Sequence, residues 1–563
     1  MLRPYTVRAN QSNRNVIGYI ALGRPHQLIP TPRRSGTARM VAGQSTSALT
    51  EGRQGNGEGS RTKTNTAQIG SGEKKSINLL RGWPSASLLP AAALRAASQT
   101  ALTDPKIWAP GLEYAPDPGY QPLREALARW LGRFYRDVIP AAPTAQEEDA
   151  DGITITGGAS QSLACLLQSF TDPGRTLAVW VVAPCYFLAC PIFADAGFAG
   201  RMRAVPEDDE GVDMAVLERE MRALEETEGE DDDGARRFKD PAPHRKIYRH
   251  VIYCVPAFAN PSGRTTTLAR REALVDLARR HDALVVCDDV YDMLQWRALS
   301  SSSPSLKDTD FHTALLPRVV DLDLARGRSP HDPPGKWFGH AVSNGSFSKL
   351  VGPGTRTGWT YSTADFAFGN SQTGSTRSGG AASQLAAIIV CELLLLKGGE
   401  EECRLDTHIR RTLLPSYARR HAVLMRAVRA ELVPLGVRVH EDSLRGHEGV
   451  YGGYFVWMTL PTSSTATSTG TATKTWPTAK AIADRCRADE ALMIGNGELF
   501  AVHGDEEAVC FDNTVRLCFA WEDEDDMVDG VERLGRVIRK MLDEGPESWT
   551  TNSTGLGGMD QAK

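Results

Sequence analysis

The sequence has no paired cysteine motif. Its ten cysteines are scattered singly along 563 residues, without the CxxC spacing of a zinc site or the density of a disulfide scaffold. This pattern excludes a disulfide-dependent secreted domain, and we expect no metal site. The cysteine usage favours a reducing, intracellular location, cytoplasmic by default.

Long hydrophobic runs and a strong charge bias are also missing. The longest apolar run, residues 386–396, is interrupted by Glu392 and is too short for a helix of roughly 20 residues that spans a membrane. The 64 basic and 69 acidic residues leave a net charge of −5, so the composition suggests neither nucleic acid nor a membrane as a partner. We therefore expect a globular protein, and its ligands have to be inferred from individual sequence motifs.

Acidic residues are absent from the first fifty positions, which contain seven arginines and many Ser and Thr residues. This composition is typical of an organellar transit peptide, so a mitochondrial location is one interpretation. Pro4 and scattered Gly and Asn residues weaken an amphipathic helix, and a disordered extension is the alternative.

Runs of β-branched residues, helical patterns and polar stretches divide the chain into segments. Short β-branched runs such as ITITGG and LAVWVVAP alternate with helical patterns, which predicts an α/β domain with a mostly parallel sheet and a ligand site at the carboxyl ends of its strands. A helix-rich α+β lobe follows. We predict an extension over 1–75, an N-terminal part of the small domain with a dimer-contact segment over 76–130, a large domain over 131–400, a small domain over 401–544 and a tail over 545–563. The large domain carries surface insertions near 222–246 and 300–334.

The stretch SNGSFSKLVGPGTRTGW, residues 343–359, carries the strongest chemical signal. Lys349 follows a strand end, and a Gly/Pro loop with Arg356 comes next. An amine beside anion-binding groups suits an aldehyde cofactor that bears a phosphate, because a desolvated lysine is nucleophilic near neutral pH. A solvated surface lysine is the alternative reading of Lys349 alone.

The SxSK and GxR pattern resembles the lysine motif of the class I/II aminotransferases, which are fold-type I enzymes dependent on pyridoxal phosphate (PLP). The similarity extends from about Ile77 to Met541. The motifs INLLRGWPSASLLP, LEYAPDPGYQPLREALARWL, GGYFVWMTLP and VRLCFAW resemble the kynurenine/2-aminoadipate aminotransferase-like subgroup. The resemblance implies a large domain with a mostly parallel seven-stranded sheet flanked by helices, a smaller α+β domain, and Lys349 joined to PLP as a Schiff base.

Phosphate contacts are expected at the turn TGGASQSL, where free N–H groups begin a helix. This turn is also an ordinary helix start, so only the resemblance assigns it to the PLP phosphate. The resemblance implies phosphate contacts by Gly158, Ala159, Ser160, Ser346 and Arg356, and by Tyr114 from the other subunit of a homodimer. Tyr114 is followed by Ala where Gly is usual.

Four further residues are expected to contact the cofactor ring. Tyr186 can stack on it, or can be an ordinary rim tyrosine, and Asn260 can donate to its phenolate oxygen. Asp288 ends an apolar strand and would pair with the protonated ring nitrogen. Asp289 is the competing candidate, but the family spacing Asp-x-x-Tyr favours Asp288 with Tyr291, which implies a hydrogen bond from Tyr291 to the same phenolate.

Substrate binding is expected from Arg516, a charge inside the apolar run VRLCFAW, whose guanidinium suits an α-carboxylate. An edge-strand arginine reaching water is the alternative. The resemblance also implies that the backbone at Gly82 approaches this carboxylate and that Asn260 contributes to substrate binding.

The function predicted from these motifs is transfer of an amino group from an L-amino acid to a 2-oxo acid, with Lys349, Asp288 and Tyr291 as catalytic residues. A PLP-dependent lyase on the same fold, catalysing β-elimination or cyclisation of a sulfonium substrate as ACC synthase does, is the alternative. A PLP-sensing transcription regulator is a remote one, because the first 75 residues lack the helical periodicity of a helix-turn-helix module.

Overall fold

The computed structural model describes residues 74–139, 149–228, 237–240, 242–298, 313–396, 398, 401–441, 444, 446–462 and 475–549. The strands are β1 Ile77–Asn78, β2 Ile153–Thr156, β3 Ala178–Ala183, β4 Met202–Asp208, β5 Gly211–Val212, β6 His250–Cys254, β7 Ala283–Asp288, β8 Gln295–Arg297, β9 Ala341–Ser346, β10 Gly358–Tyr361, β11 Arg438–Val439, β12 Val450–Gly452, β13 Phe455–Thr459, β14 Leu492–Met493, β15 Gly495–Asn496 and β16 Thr514–Cys518. The helices are α1 Ala91–Thr103, α2 Pro105–Leu112, α3 Gln121–Tyr135, α4 Ala159–Phe170, α5 Cys190–Phe193, α6 Met214–Glu228, α7 Leu268–Arg280, α8 Val319–Ala325, α9 Ala364–Ser371, α10 Gln384–Leu394, α11 Arg404–His408, α12 Leu414–Glu431, α13 Ala479–Glu490 and α14 Glu524–Glu544.

The central sheet has the strand order β2-β10-β9-β7-β6-β3-β4-β5. Strands β4, β3, β6, β7 and β9 are parallel neighbours, whereas β10 runs antiparallel to β9 and β2. Almost every residue of β3, β6 and β7 is buried, because helices cover both faces of a sheet of this kind. The prediction of a mostly parallel α/β sheet is confirmed.

The sheet has eight strands instead of the expected seven. The additional strand, β5, consists of two residues that pair antiparallel with the end of β4. A two-residue hairpin strand has no alternating hydrophobic pattern, so the sequence carries no signal for it.

A second, antiparallel sheet of order β11-β13-β16-β15 forms the C-terminal part together with α12, α13 and α14. The N-terminal segment joins this part, because β1 pairs with β14 and the Cys518 amide donates to the Leu79 carbonyl at 2.8 Å. Residues 80–83 are thereby held beside β16. The described residues from Lys74 onward belong to one compact unit, so the boundaries proposed within it stay a prediction.

Part of the described segment 313–334 differs from its interpretation as a surface insertion. Residues 319–325 form α8, whose Val319, Val320 and Leu322 are buried against the core. The charged residues around this helix are satisfied internally, since Arg318 binds Asp321 at 2.7 Å with both side chains buried. That internal ion pair makes a core helix look like a polar loop in the sequence.

Several sequence predictions lie outside the described residues. They concern residues 1–73, residues 229–236 and 300–312 of the two expected insertions, and the tail beyond Trp549. Among the helices that the structure does describe, none combines the length and apolar character that crossing a membrane requires.

Candidate active site

A cavity of about 520 Å³ opens at the carboxyl ends of β7 and β9. Eleven of the residues singled out from the sequence line it: Gly82, Ala159, Ser160, Tyr186, Asn260, Asp288, Tyr291, Ser346, Lys349, Arg356 and Arg516. The carboxyl ends of parallel strands share one edge of a sheet, which brings these distant parts of the chain together.

Lys349 lies in a short turn of 3-10 helix directly after β9. Its Nζ atom donates to the Gly82 carbonyl at 2.8 Å and lies 5.2 Å from the ring centre of Tyr454. Burial lowers the pKa of the Lys349 amine to about 8 despite the opposing charge of Asp288. This amine is therefore a stronger nucleophile near neutral pH than a surface lysine.

Asp288 is the last residue of β7 and is buried. Its Oδ2 accepts a hydrogen bond from the Tyr253 hydroxyl at 2.8 Å, whereas Oδ1 is buried and has no hydrogen-bond partner in the described chain. Burial raises the pKa of this carboxyl to about 6, with Tyr253 and Lys349 acting in the opposite direction. A buried acceptor of this kind is costly unless a ligand donates to it.

Asp289, the competing candidate, does not line the cavity. Successive side chains of an extended strand point to opposite sides, and the structure follows this rule here. Burial raises the pKa of Asp289 well above its usual range, and the neighbouring Asp292 carboxyl raises it further. Burial therefore favours the neutral form of the Asp289 carboxyl.

Arg516 extends from β16 and is 3% exposed. One Nη donates to Asn260 Oδ1 at 2.7 Å and the other donates to the Leu80 carbonyl, while Nε is buried without a partner. In the described ranges no carboxylate pairs with this guanidinium, and burial lowers its pKa to about 10. Because Asn260 accepts through its oxygen, its amide nitrogen remains free to donate.

An anion-binding turn lies at the start of α4. Gly158 precedes this helix with a φ of 100°, which is the left-handed region that favours glycine, and a Cβ there would lie 2.9 Å from the Arg356 guanidinium. Arg356 donates to the Gly157 carbonyl, and the Ser346 and Ser348 hydroxyls lie 2.9 Å apart. Free N–H groups, a guanidinium and two hydroxyls together suit a phosphate.

A sequence profile described as aminotransferase class I and II matches residues 77–534. The chain belongs to this family. It is 33% identical to an uncharacterised protein of Saccharomyces cerevisiae over 83% of this chain and 97% of that protein. It is 26% identical to aromatic-amino-acid aminotransferase 1 of Thermococcus litoralis over 83% of this chain and 88% of that protein. The α-aminoadipate aminotransferase LysN of Thermus thermophilus, solved with N-(5'-phosphopyridoxyl)-L-leucine, matches with a TM-score of 0.58 and 25% identity over 84% of this chain and 94% of that one.

The protein is thus an aminotransferase of the fold-type I class, as the motifs indicated. Enzymes of this family depend on PLP and act on amino and 2-oxo acids.

Two of the expected site residues lie outside the cavity lining of this aminotransferase. Gly158 is the residue before α4 and adjoins the lining residue Ala159. The Tyr114 side chain is 87% exposed and lies beside Gly379. Its placement in the single chain gives it no contact with the cavity of the same chain, so its expected role requires a second subunit.

Other residues line the cavity that the sequence reasoning did not single out. Ser348 adds a hydroxyl directly before Lys349, and Trp83, Phe187 and Leu188 add an apolar wall. Trp83 follows Gly82 and Phe187 follows Tyr186, so adjacency to an expected site residue was the available signal. In a sequence, apolar residues of this kind are interpreted as part of the hydrophobic core, because hydrophobicity alone does not distinguish a residue of a cavity wall from a buried core residue.

Proposed function

We propose that this aminotransferase holds PLP through Lys349 and moves an amino group from an L-amino acid to a 2-oxo acid. The observation that carries the proposal is a buried lysine amine and an unsatisfied Asp288 carboxylate oxygen that line one cavity. An enclosed amine and an acceptor without a donor match the aldehyde and the protonated ring nitrogen of one cofactor.

The remaining groups suit the rest of PLP. The α4 turn with Ser160, Ser346 and Arg356 would hold the phosphate, and the Asn260 amide with the Tyr291 hydroxyl would donate to the phenolate oxygen. Tyr186 lines the same cavity, and burial raises the pKa of its hydroxyl, consistent with a ring packed against a cofactor. Bound PLP supplies an aldehyde that bonds to amines and a ring that draws electrons from the substrate Cα.

Separate protein groups bind the substrate, orient it and move its proton. Arg516 binds the α-carboxylate and the Gly82 backbone limits its position, which orients the Cα–H bond. The Lys349 amine would take the proton from the substrate Cα, and the ammonium so formed would later act as the acid that gives this proton back. The apolar wall of Trp83, Phe187 and Leu188 excludes water from these charges.

Capture of PLP by the apoprotein should depend on pH through Lys349. The pKa of about 8 leaves the amine mostly protonated below pH 8, so the rate constant for capture should fall about tenfold for each pH unit below 8 and level off above it. Stopped-flow absorbance after mixing apoprotein with PLP measures this constant. A rate that keeps rising to pH 10 would show that the lysine is not buried as described.

The test of the function uses holoenzyme and an amino-acid donor without an acceptor. An aminotransferase converts stoichiometrically to the pyridoxamine form and stops, whereas a lyase continues to release product. The donor panel includes aromatic, branched-chain, acidic and 2-aminoadipate substrates, each then paired with 2-oxoglutarate. We expect aromatic and 2-aminoadipate donors to be preferred. Sustained product release without an acceptor would replace this proposal with the lyase alternative.

Replacing Arg516 with glutamine should raise the KM for every α-amino acid donor. The guanidinium makes a bidentate contact with the α-carboxylate that glutamine does not replace, so we expect a loss in kcat/KM of roughly 100-fold. Steady-state kinetics with two donors of different side chain measure the effect. Equal kcat/KM values for variant and parent would remove Arg516 from the carboxylate site.

A homodimer is part of the proposal, with Tyr114 reaching the phosphate of the partner subunit. Tyr114 is exposed. The apolar side chains of Trp108 and Leu112 on α2 and of Leu385 on α10 are also exposed, and these two helices pack against each other. Surfaces of this composition are typical of subunit interfaces. Light scattering of the full chain gives the mass, and a monomer with full activity would contradict the shared site.

A further inference from the structure

We propose that Tyr454 is a positioning residue for the reactive lysine: its ring face stabilises the ammonium form of Lys349, and its hydroxyl fixes the Lys349 backbone. The inference rests on the proposed function and adds to it a group that acts through the lysine without touching the substrate. Tyr454 is buried and is not among the residues that line the cavity.

Two aromatic rings flank the Lys349 amine. Its Nζ atom lies over the Tyr454 ring, 5.2 Å from the ring centre, and over the Tyr291 ring at 5.9 Å. The two rings meet edge to face, with their centres 5.5 Å apart. An ammonium within about 6 Å of a ring centre is attracted by the negative face of the ring. The charged form of Lys349 therefore has a stabilising contact with Tyr454 that the neutral amine lacks.

The hydroxyl of Tyr454 contacts the same lysine. It donates to the Lys349 carbonyl at 3.2 Å and lies 3.0 Å from the Tyr417 hydroxyl. A phenol has one hydrogen to donate, so Tyr417 is the donor to Tyr454. Two consecutive hydrogen bonds thus join α12, which carries Tyr417, to the turn after β9 that carries Lys349.

The backbone around Tyr454 is fixed, as a positioning role requires. The Gly453 amide donates to the Leu294 carbonyl at 3.0 Å, and the Tyr454 carbonyl accepts from the Phe519 amide at 3.0 Å. Gly453 has a φ of 64°, and a Cβ there would lie 2.9 Å from the Phe258 carbonyl oxygen. The ring and hydroxyl of Tyr454 are therefore held from both sides of the residue.

The chemistry proposed for Lys349 needs its amine in both forms. The neutral amine is the nucleophile and the base, and the ammonium is the acid that gives the proton back. Burial lowers the pKa of this amine to about 8, with Cys518 and Asp288 acting in the opposite direction and Arg516 acting with burial. Within the described ranges no carboxylate forms an ion pair with the amine, whose hydrogen bond goes to the Gly82 carbonyl. A ring face favours the ammonium less strongly than a carboxylate in contact would, so it stabilises the acid without removing the nucleophile.

The first test measures the ring by the rate of PLP capture by the apoprotein at pH 7 and at pH 10. Trifluorophenylalanine in place of Tyr454 keeps the shape of the ring but removes the negative character of its face. The ratio of the rate constant at pH 7 to that at pH 10 should rise about two- to fivefold, because the ammonium is then less favoured. Tyr454→Phe keeps the face and should keep the ratio of the parent. The titration of PLP itself is common to all three proteins and cancels in the comparison.

The second test measures the hydroxyl by steady-state kinetics of the holoenzyme. Tyr454→Phe removes one hydrogen bond to Lys349, so kcat should fall about 3- to 10-fold. The KM for amino-acid donors should change less than about twofold, because the α-carboxylate site at Arg516 is untouched. Tyr248→Phe is the matched control. Tyr248 is buried outside the cavity lining, donates to the Gly339 carbonyl at 2.6 Å and has the amine of Lys246 over its ring at 4.5 Å.

The control should keep kcat and the capture ratio of the parent. Equal capture ratios in the parent, Tyr454→Phe and the trifluorinated protein would overturn the role of the ring. Equal losses of kcat in Tyr454→Phe and Tyr248→Phe, or no loss in either, would overturn the role of the hydroxyl. Apoprotein of the parent sequence that captures no PLP at either pH would contradict the proposed function instead, so the two failures are distinguishable.

Discussion

A Lys349→Ala variant is expected to lose at least about four orders of magnitude in kcat, because the nucleophile and the base are the same amine. No other lysine is among the residues that line the cavity, so none is placed to replace the amine. The visible absorbance of lysine-bound cofactor should disappear as well. Turnover measured with an aromatic donor and 2-oxoglutarate, together with the absorbance spectrum, tests both expectations.

The fold of this variant should persist, since alanine removes a buried amine whose charged form is disfavoured by desolvation. Circular dichroism and a melting curve establish this. Lys540→Ala is the control. Lys540 is 53% exposed on α14 and pairs with Asp489, and neither residue lines the cavity. Full turnover in Lys349→Ala would require the assignment of the whole site to be withdrawn.

The position of the site was predictable because several of the expected residues end or follow a recognisable strand. Lys349 follows β9, Asp288 ends β7 and the Gly158 turn follows β2, and parallel strands bring such ends to one edge. Arg516 was identifiable for the opposite reason, as a charge where its strand is otherwise apolar. Strand ends and one charge in an apolar strand indicated where the site lies, whereas the roles expected of these residues came from the resemblance to the aminotransferase family.

The parts that could not be predicted depend on contacts between distant residues. The segment of α8 was interpreted as part of a surface insertion because its charges at Arg318 and Asp321 neutralise each other inside the fold. The contact between the Arg81 guanidinium and the Trp521 ring joins two distant parts of the sequence. Strand β5 has two residues and no periodicity. The spacing of apolar residues predicts which face of a helix or strand is buried. It does not predict which distant residues come into contact in the folded chain.

An Asp288→Asn variant is expected to lose roughly two to three orders of magnitude in kcat, since a neutral amide cannot hold a proton on the cofactor ring nitrogen. The unsatisfied Oδ1 of Asp288 is the acceptor that this proton requires. The pKa of about 6 belongs to the carboxyl without a cationic partner, and a protonated ring nearby would lower it further. The carboxylate would then stay ionised above pH 6, and the variant should lose kcat across that whole range.

Asp289→Asn is the matched control, because Asp289 is the adjacent buried carboxyl and lies outside the cavity lining. Burial raises the pKa of Asp289 and so favours the neutral carboxyl, which asparagine imitates in shape, so kcat and the melting temperature should change little. Both variants are measured for kcat from pH 6 to 9 with one donor and one acceptor. If Asp289→Asn loses activity and Asp288→Asn keeps it, the ring partner is Asp289. The structure argues against that result, because Asp288 lines the cavity and Asp289 does not.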